Sequence, residues 1–221
     1  MCDNTLVEKK EWKPVTKKFI TFEGPEGSGK TSILKAVEET LRNKGVDVLT
    51  TREPGGIRIS EMIRNLILDV DNKEMDARTE ALLYAAARRQ HMVEKIWPAL
   101  KAGKLVLCDR FIDSSLAYQG AGRKLGIDNI YSLNRFAIED TMPDLTFFID
   151  VPPSVGLDRV FDNAREMDRL DLESIQFHTK VYEGYQEIIK RHPERIRVIN
   201  GNKPIEEVVK DVLDVLEKEL D

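Results

Sequence analysis

The chain has few cysteines, no long apolar run and no excess of positive charge. Its 221 residues include two cysteines, Cys2 and Cys108. Two cysteines do not make a disulfide framework, and both fit reduced cytosolic thiols. No run of 18 apolar residues occurs, which excludes a membrane-spanning helix. The net charge of −5 argues against a nucleic-acid partner, although a locally basic cleft stays open. The first fourteen residues, Met1 to Pro14, lack the apolar core of a secretory signal. Residues 1–16 therefore read as a polar extension, and 17–221 as one soluble, cytoplasmic domain. There is no internal repeat and no low-complexity segment. At 41% hydrophobic and 33% charged, a chain of this length can bury a real core.

What the chain does have is a phosphate-binding loop. Gly24, Pro25, Glu26, Gly27, Ser28, Gly29, Lys30 and Thr31 match G-x-x-x-x-G-K-[ST] without interruption. Glycines let the backbone curl so that its N–H groups face phosphate oxygens. Lys30 can reach the β- and γ-phosphates, and the Thr31 hydroxyl can take one position on Mg2+. The setting is right: a strand-like run over 18–23, then apolar residues at helical spacing from Ser32, with a stop at Lys44 and Gly45.

Strands and helices alternate along the rest. Strands are expected at 18–23, 46–51, 104–108, 145–150 and 195–199. Helices are expected at 30–43, 58–69, 77–101, 111–119, 128–140, 154–162, 172–191 and 204–219. Asp76 is placed to cap the longest helix, and Pro98 should kink or interrupt it. The pattern implies an α/β protein of the P-loop NTPase fold, a five-stranded parallel sheet with helices on both faces. Ligands then gather beyond the carboxyl ends of the strands, at Glu23, Arg52, Glu53, Asp109, Arg110 and Asp150.

Several polar residues fall at those ends. The turn Thr51-Arg-Glu-Pro-Gly-Gly56 projects Arg52. Tyr84 and Arg88 stand one helical turn apart, which suits a stacked base beside a carbonyl or phosphate. A core tyrosine and a solvated arginine would give the same pattern. Asp109 can orient Mg2+ or its water, and Arg110 can bridge two phosphate chains. Ser114, Ser115, Tyr118 and Gln119 supply neutral groups of the kind that read a base and a sugar. Residues 163–171 are polar and carry Arg165 and Arg169, as a lid over phosphates would, and as an ordinary charged connection would too.

Taken together, these strings resemble thymidylate kinases. The resemblance runs from about residue 18 to the C-terminus. It rests on Phe22 to Thr31, Thr51 to Gly56, Thr79 to Arg89, Asp109 to Gly120, residues 165–171 and Phe177 to Tyr185. It implies transfer of the γ-phosphate of ATP to dTMP, with Mg2+ and in a homodimer. By this resemblance Glu26 accepts from the 3′-hydroxyl of dTMP, and Arg52 and Arg110 hold the acceptor phosphate. Tyr84 stacks on thymine, Arg88 bonds its carbonyl, and Ser115 and Gln119 line the base. Tyr118 crowds the 2′ position, and Thr31 and Asp109 place Mg2+. The phosphate-binding loop holds no arginine, so the chain resembles the bacterial branch with its catalytic arginine in the lid. Arg165 is then the transition-state arginine, and Arg169 a support or an anchor on ATP. Tyr84, Ile57 and Phe111 depart from the commoner Phe, Thr and Tyr.

No dedicated base is needed, because the nucleophile is already an anion. That leaves His91, His178 and His192 to structure. A related kinase for another nucleoside monophosphate or a deoxynucleoside is the nearest alternative. A GTPase is disfavoured, because Asn202-Lys-Pro-Ile205 lacks the aspartate of the guanine-reading motif.

Overall fold

The computed structural model describes residues 18–162 and 167–219. Five strands, β1 (Phe19–Glu23), β2 (Val48–Arg52), β3 (Leu105–Asp109), β4 (Leu145–Asp150) and β5 (Ile196–Asn200), form one sheet. Their order is β2-β3-β1-β4-β5, and every pairing is parallel. The helices are α1 (Lys30–Asn43), α2 (Arg58–Leu68), α3 (Ala77–His91), α4 (Trp97–Lys101), α5 (Ile112–Ser115), α6 (Ile127–Ile138), α7 (Pro153–Asp162), α8 (Ile175–Arg191) and α9 (Ile205–Glu219).

Side chains alternate across the strands, so the sheet builds two cores. Ile20, Phe22, Leu107 and Phe147 lie on one face with Val37 of α1 and Val212 of α9. Phe19, Val106, Cys108 and Phe148 lie on the other, with Ala85 of α3, Ile130 of α6 and Val181 of α8. Thr21 and Thr146 share a hydrogen bond of 2.8 Å in the interior, and Arg195 donates to Thr146 at 3.0 Å. Among the described residues no helix is long and apolar enough to cross a membrane.

Two helices depart from the expected pattern. The Asp76 carboxylate caps α3 by accepting from the N–H groups of Arg78 and Thr79. The helix does not continue as one regular rod to residue 101. It widens into a π-helical turn over Met92–Ile96, where Trp97 N–H reaches the Met92 carbonyl. The wide turn accommodates Pro98, which has no N–H to donate and whose ring would crowd a regular turn. The helix expected over 111–119 is also different. Regular α-helix is confined to α5, and a π segment follows over Leu116–Gly122. Close packing accompanies the change, for a Cβ on Gly122 would lie 2.8 Å from the Phe177 ring. The widened segment carries Tyr118 and Gln119, and such bulges recur at functional sites.

Candidate active site

The chain leaves β1 at Glu23 and enters α1 through the phosphate-binding loop. Gly27 has φ 68°, and a Cβ on it would lie 1.9 Å from the Gly156 carbonyl oxygen of α7. Only glycine fits that approach. Gly29 starts α1 at φ 86°, in the left-handed region that glycine favours. Lys30 folds back along the loop. Its Nζ donates to the carbonyls of Gly24 at 3.1 Å and Pro25 at 2.9 Å, and to Ser28 Oγ at 3.2 Å. Burial, with help from the Arg110 charge, pushes the amine down to about 8. All three acceptors are neutral, so an incoming phosphate offers the ammonium a stronger, charge-assisted partner. The Thr31 hydroxyl donates to Asp109 Oδ2 at 2.5 Å, bringing α1 and the end of β3 together.

Arg110 follows β3 with φ 67°, which turns its side chain under the loop. Its Nη2 donates to Glu26 Oε1 at 2.7 Å, and its Nη1 to the Gly24 carbonyl at 3.1 Å and Ser114 Oγ at 3.2 Å. The Tyr118 hydroxyl donates to the same Glu26 oxygen at 3.1 Å. Beneath them lies Glu23, fully buried. It accepts from Phe111 N–H at 2.7 Å, Ser114 Oγ at 2.6 Å and the Tyr185 hydroxyl at 2.9 Å. Burial, reinforced by the nearby Asp113 carboxylate, pushes Glu23 up to about 7.

Arg88 is not a solvated surface charge: its exposure is 2%. Nε donates to Glu53 Oε2 at 2.7 Å, Nη1 to Ser115 Oγ at 3.1 Å and to Asn134 Oδ1, and Nη2 to the Phe111 carbonyl at 2.9 Å. Glu53 also meets His91 Nδ1 at 2.9 Å, and His91 Nε2 meets Thr51 Oγ1 at 2.7 Å. Burial alone would raise the Glu53 carboxyl, but Arg88 and His91 hold it below its usual value. Tyr84, one turn before Arg88, is half-buried, and desolvation raises its hydroxyl.

These groups line one cavity of about 420 Å³. The phosphate-binding loop contributes Glu26, Gly27, Gly29, Lys30 and Thr31 to it, the ends of β2 and β3 contribute Arg52 and Asp109, and Arg110 follows just after β3. Tyr84, Arg88, Ser115, Tyr118 and Gln119 complete the set expected for a base and sugar. Arg52 is held at the opening by Glu61 Oε1 at 2.8 Å. Gly24, Pro25 and Ser28 lie behind the cavity, where they accept from Lys30.

Arg165 lies outside the described residues. Arg169, expected on ATP, does not line the cavity; its Nε donates to the Ile67 carbonyl at 2.8 Å and its Nη2 to Glu80 Oε2 at 2.5 Å. Other residues were missed from sequence. Arg64 lines the cavity, donating to the Pro54 carbonyl at 3.1 Å, and Arg159 of α7 donates to Asn202 Oδ1 at 3.2 Å beside the phosphate-binding loop. Glu80, Asn134 and Tyr185 serve the site through buried contacts between residues far apart in sequence, which no local pattern signals.

Among the described residues no cluster of three or more His, Cys, Asp or Glu is arranged to hold a metal ion. Mg2+ does not require one. It keeps its waters and commonly takes one or two protein oxygens besides those of a phosphate chain. The adjoining Thr31 hydroxyl and Asp109 carboxylate fit that donor set.

The model of the thymidylate kinase family matches residues 22–212. The chain is 58% identical over 199 residues to a thymidylate kinase of Oceanobacillus iheyensis, covering 90% of this chain and 88% of that one. It is 58% identical over 203 residues to one of Bacillus velezensis, covering 91% and 96%. A crystal structure of thymidylate kinase from Ehrlichia chaffeensis superposes with a TM-score of 0.72 at 38% identity, covering 90% of this chain and 98% of that one. Sequence, fold and cavity agree, and the chain belongs to the thymidylate kinase family.

Proposed function

We propose that this chain transfers the γ-phosphate of ATP to dTMP, giving ADP and dTDP, and that its cavity residues divide the work. The observation that carries this reading is a single cavity lined both by the phosphate-binding loop and by the Tyr84, Arg88 and Gln119 group. Donor and acceptor then share one enclosure, as in-line transfer needs. The loop amides and Lys30 hold the donor phosphates. Arg52 and Arg110 hold the acceptor phosphate against them. Tyr84 stacks on thymine, Arg88 meets its carbonyl, Ser115 and Gln119 line the base, and Glu26 and Tyr118 frame the deoxyribose.

Mg2+, held by Thr31 and Asp109, neutralises phosphate charge when bound. The acceptor oxygen is already anionic, so the residues supply position and positive charge rather than a base. The pairing of Arg169 with Glu80 supports giving the transition-state role in the 163–171 segment to Arg165.

A homodimer and a cytoplasmic setting belong to the same reading. Exposed apolar side chains stand on three adjoining helices, with Met62 on α2, Leu82 on α3 and Phe136 on α6. They offer a second copy an apolar face. Cys108 is a buried free thiol, as a reducing compartment keeps it.

The test is Lys30→Ala. Turnover of ATP with dTMP should fall by at least about a hundredfold, the scale of losing one preorganised charge donor. The fold should be retained. Near-normal turnover would reject the assignment of the loop.

A further inference from the structure

Glu80 is buried completely in the first turn of α3, and neither phosphate nor base contact has been assigned to it. Three side chains converge on its carboxylate. Gln119 Nε2 donates to Oε1 at 2.9 Å. Arg123 donates Nε to Oε1 at 3.3 Å and Nη2 to Oε2 at 3.1 Å. Arg169 donates Nη2 to Oε2 at 2.5 Å. One carboxylate thus ties together the helix carrying Tyr84 and Arg88, the π segment carrying Gln119, and the chain just after residues 163–166.

From this geometry we infer that Glu80 is a positioning residue that sets the enzyme's choice of base by fixing which end of the Gln119 amide faces the cavity. The inference rests on the proposed reaction with dTMP. An amide can present either its oxygen or its nitrogen, and the two ends are nearly the same size. The two guanidiniums keep Glu80 ionised, holding its carboxyl below the usual value against burial. An ionised carboxylate only accepts. Gln119 must therefore turn its NH2 towards Glu80, and its Oε1 has no hydrogen-bond donor among the described residues. Gln119 lines the cavity, so an acceptor is offered there. Thymine carries a donor, N3–H, between two carbonyls. Cytosine carries an acceptor at N3 beside an amino group. A locked acceptor pairs with thymine and opposes cytosine, and the cost of leaving polar groups unpaired in a closed site gives large discrimination.

The experiment compares kcat and KM for dTMP and dCMP in the full-length enzyme, its Glu80→Gln variant, Gln119→Ala, and the double variant. A neutral glutamine at position 80 can donate as well as accept, so the Gln119 amide is free to turn over. Preference for dTMP over dCMP in kcat/KM should fall by about ten- to a hundredfold, as for one lost polar discrimination. The loss should appear mainly in KM for dTMP, since the phosphate contacts of Lys30 and Arg110 are untouched. In the Gln119→Ala background the same substitution should change the ratio less than about twofold, because the group it orients is gone.

Should Glu80→Gln fail to fold, Glu80→Asp carries the test. It keeps the charge for the arginines but withdraws the carboxylate from Gln119, and the ratio should still fall by more than about fivefold. An unchanged ratio in a folded variant overturns the inference, and so does an equal loss with and without Gln119. If the unmodified enzyme phosphorylates dTMP, either result leaves the reaction standing. If it does not phosphorylate dTMP, reaction and inference fall together.

Discussion

Arg88→Met removes a buried guanidinium that serves four partners: Glu53, Ser115, Asn134 and the Phe111 carbonyl. Methionine fills much of the arginine's stem, so packing loss is small. The main cost falls on Glu53, which is 4% exposed and, among the described residues, keeps only His91 as a side-chain partner. Breaking a buried pair by deleting one member costs about 3–5 kcal/mol, because the other charge is left uncompensated. For a chain of this size, with a urea m-value of about 2–3 kcal/mol/M, the midpoint should drop by about 1–2.5 M. Arg88→Met/Glu53→Gln should be more stable than Arg88→Met alone, since the stranded charge is gone. Equilibrium urea unfolding, followed by circular dichroism, measures both. A loss below about 1 kcal/mol in the single variant, or simple additivity in the double variant within about 0.5 kcal/mol, would refute the buried-network account.

Two further expectations concern Glu23 and the arginines of residues 163–171. Glu23 is raised from 4.5 to about 7, so the folded state holds an extra proton between those values. Its contribution to stability is present below pH 4.5 and is lost as pH rises through 7. Urea midpoints at several pH values should show that Glu23→Gln removes this component; parallel pH profiles for variant and parent would contradict it. Arg165→Ala should lower kcat and kcat/KM together by about a thousandfold while dTMP and ATP still bind, and Arg165→Lys should restore little. Arg169→Ala should instead lose stability. If Arg169→Ala loses kcat and Arg165→Ala keeps it, the two roles are reversed.

Local signals carried most of the fold. Helix α1 starts at Lys30 and ends before Lys44 and Gly45, as glycine and apolar spacing predict, and β4 spans Leu145–Asp150 as its apolar run does. The two π segments were not legible. They answer to Pro98 and to close packing around Gly122, and neither changes hydrophobic periodicity enough to be read. The site divides in the same way. Residues at strand ends and in the phosphate-binding loop announce themselves by position. Arg88 did not, because whether a helical arginine is solvated or buried depends on Glu53 and Asn134, which lie 35 and 46 positions away. Glu80 was silent for the same reason: its partners Gln119, Arg123 and Arg169 are 39, 43 and 89 positions distant.

The most direct measurement is turnover of ATP and Mg2+ with a panel of nucleoside monophosphates, with the diphosphate products separated and quantified. The account predicts dTDP from dTMP. It also predicts at least about a hundredfold lower kcat/KM for dCMP, which mispairs at Arg88 and Gln119, and for the ribo analogue of dTMP, which Tyr118 crowds. Equal use of these substrates, or faster turnover of another monophosphate than of dTMP, would contradict it.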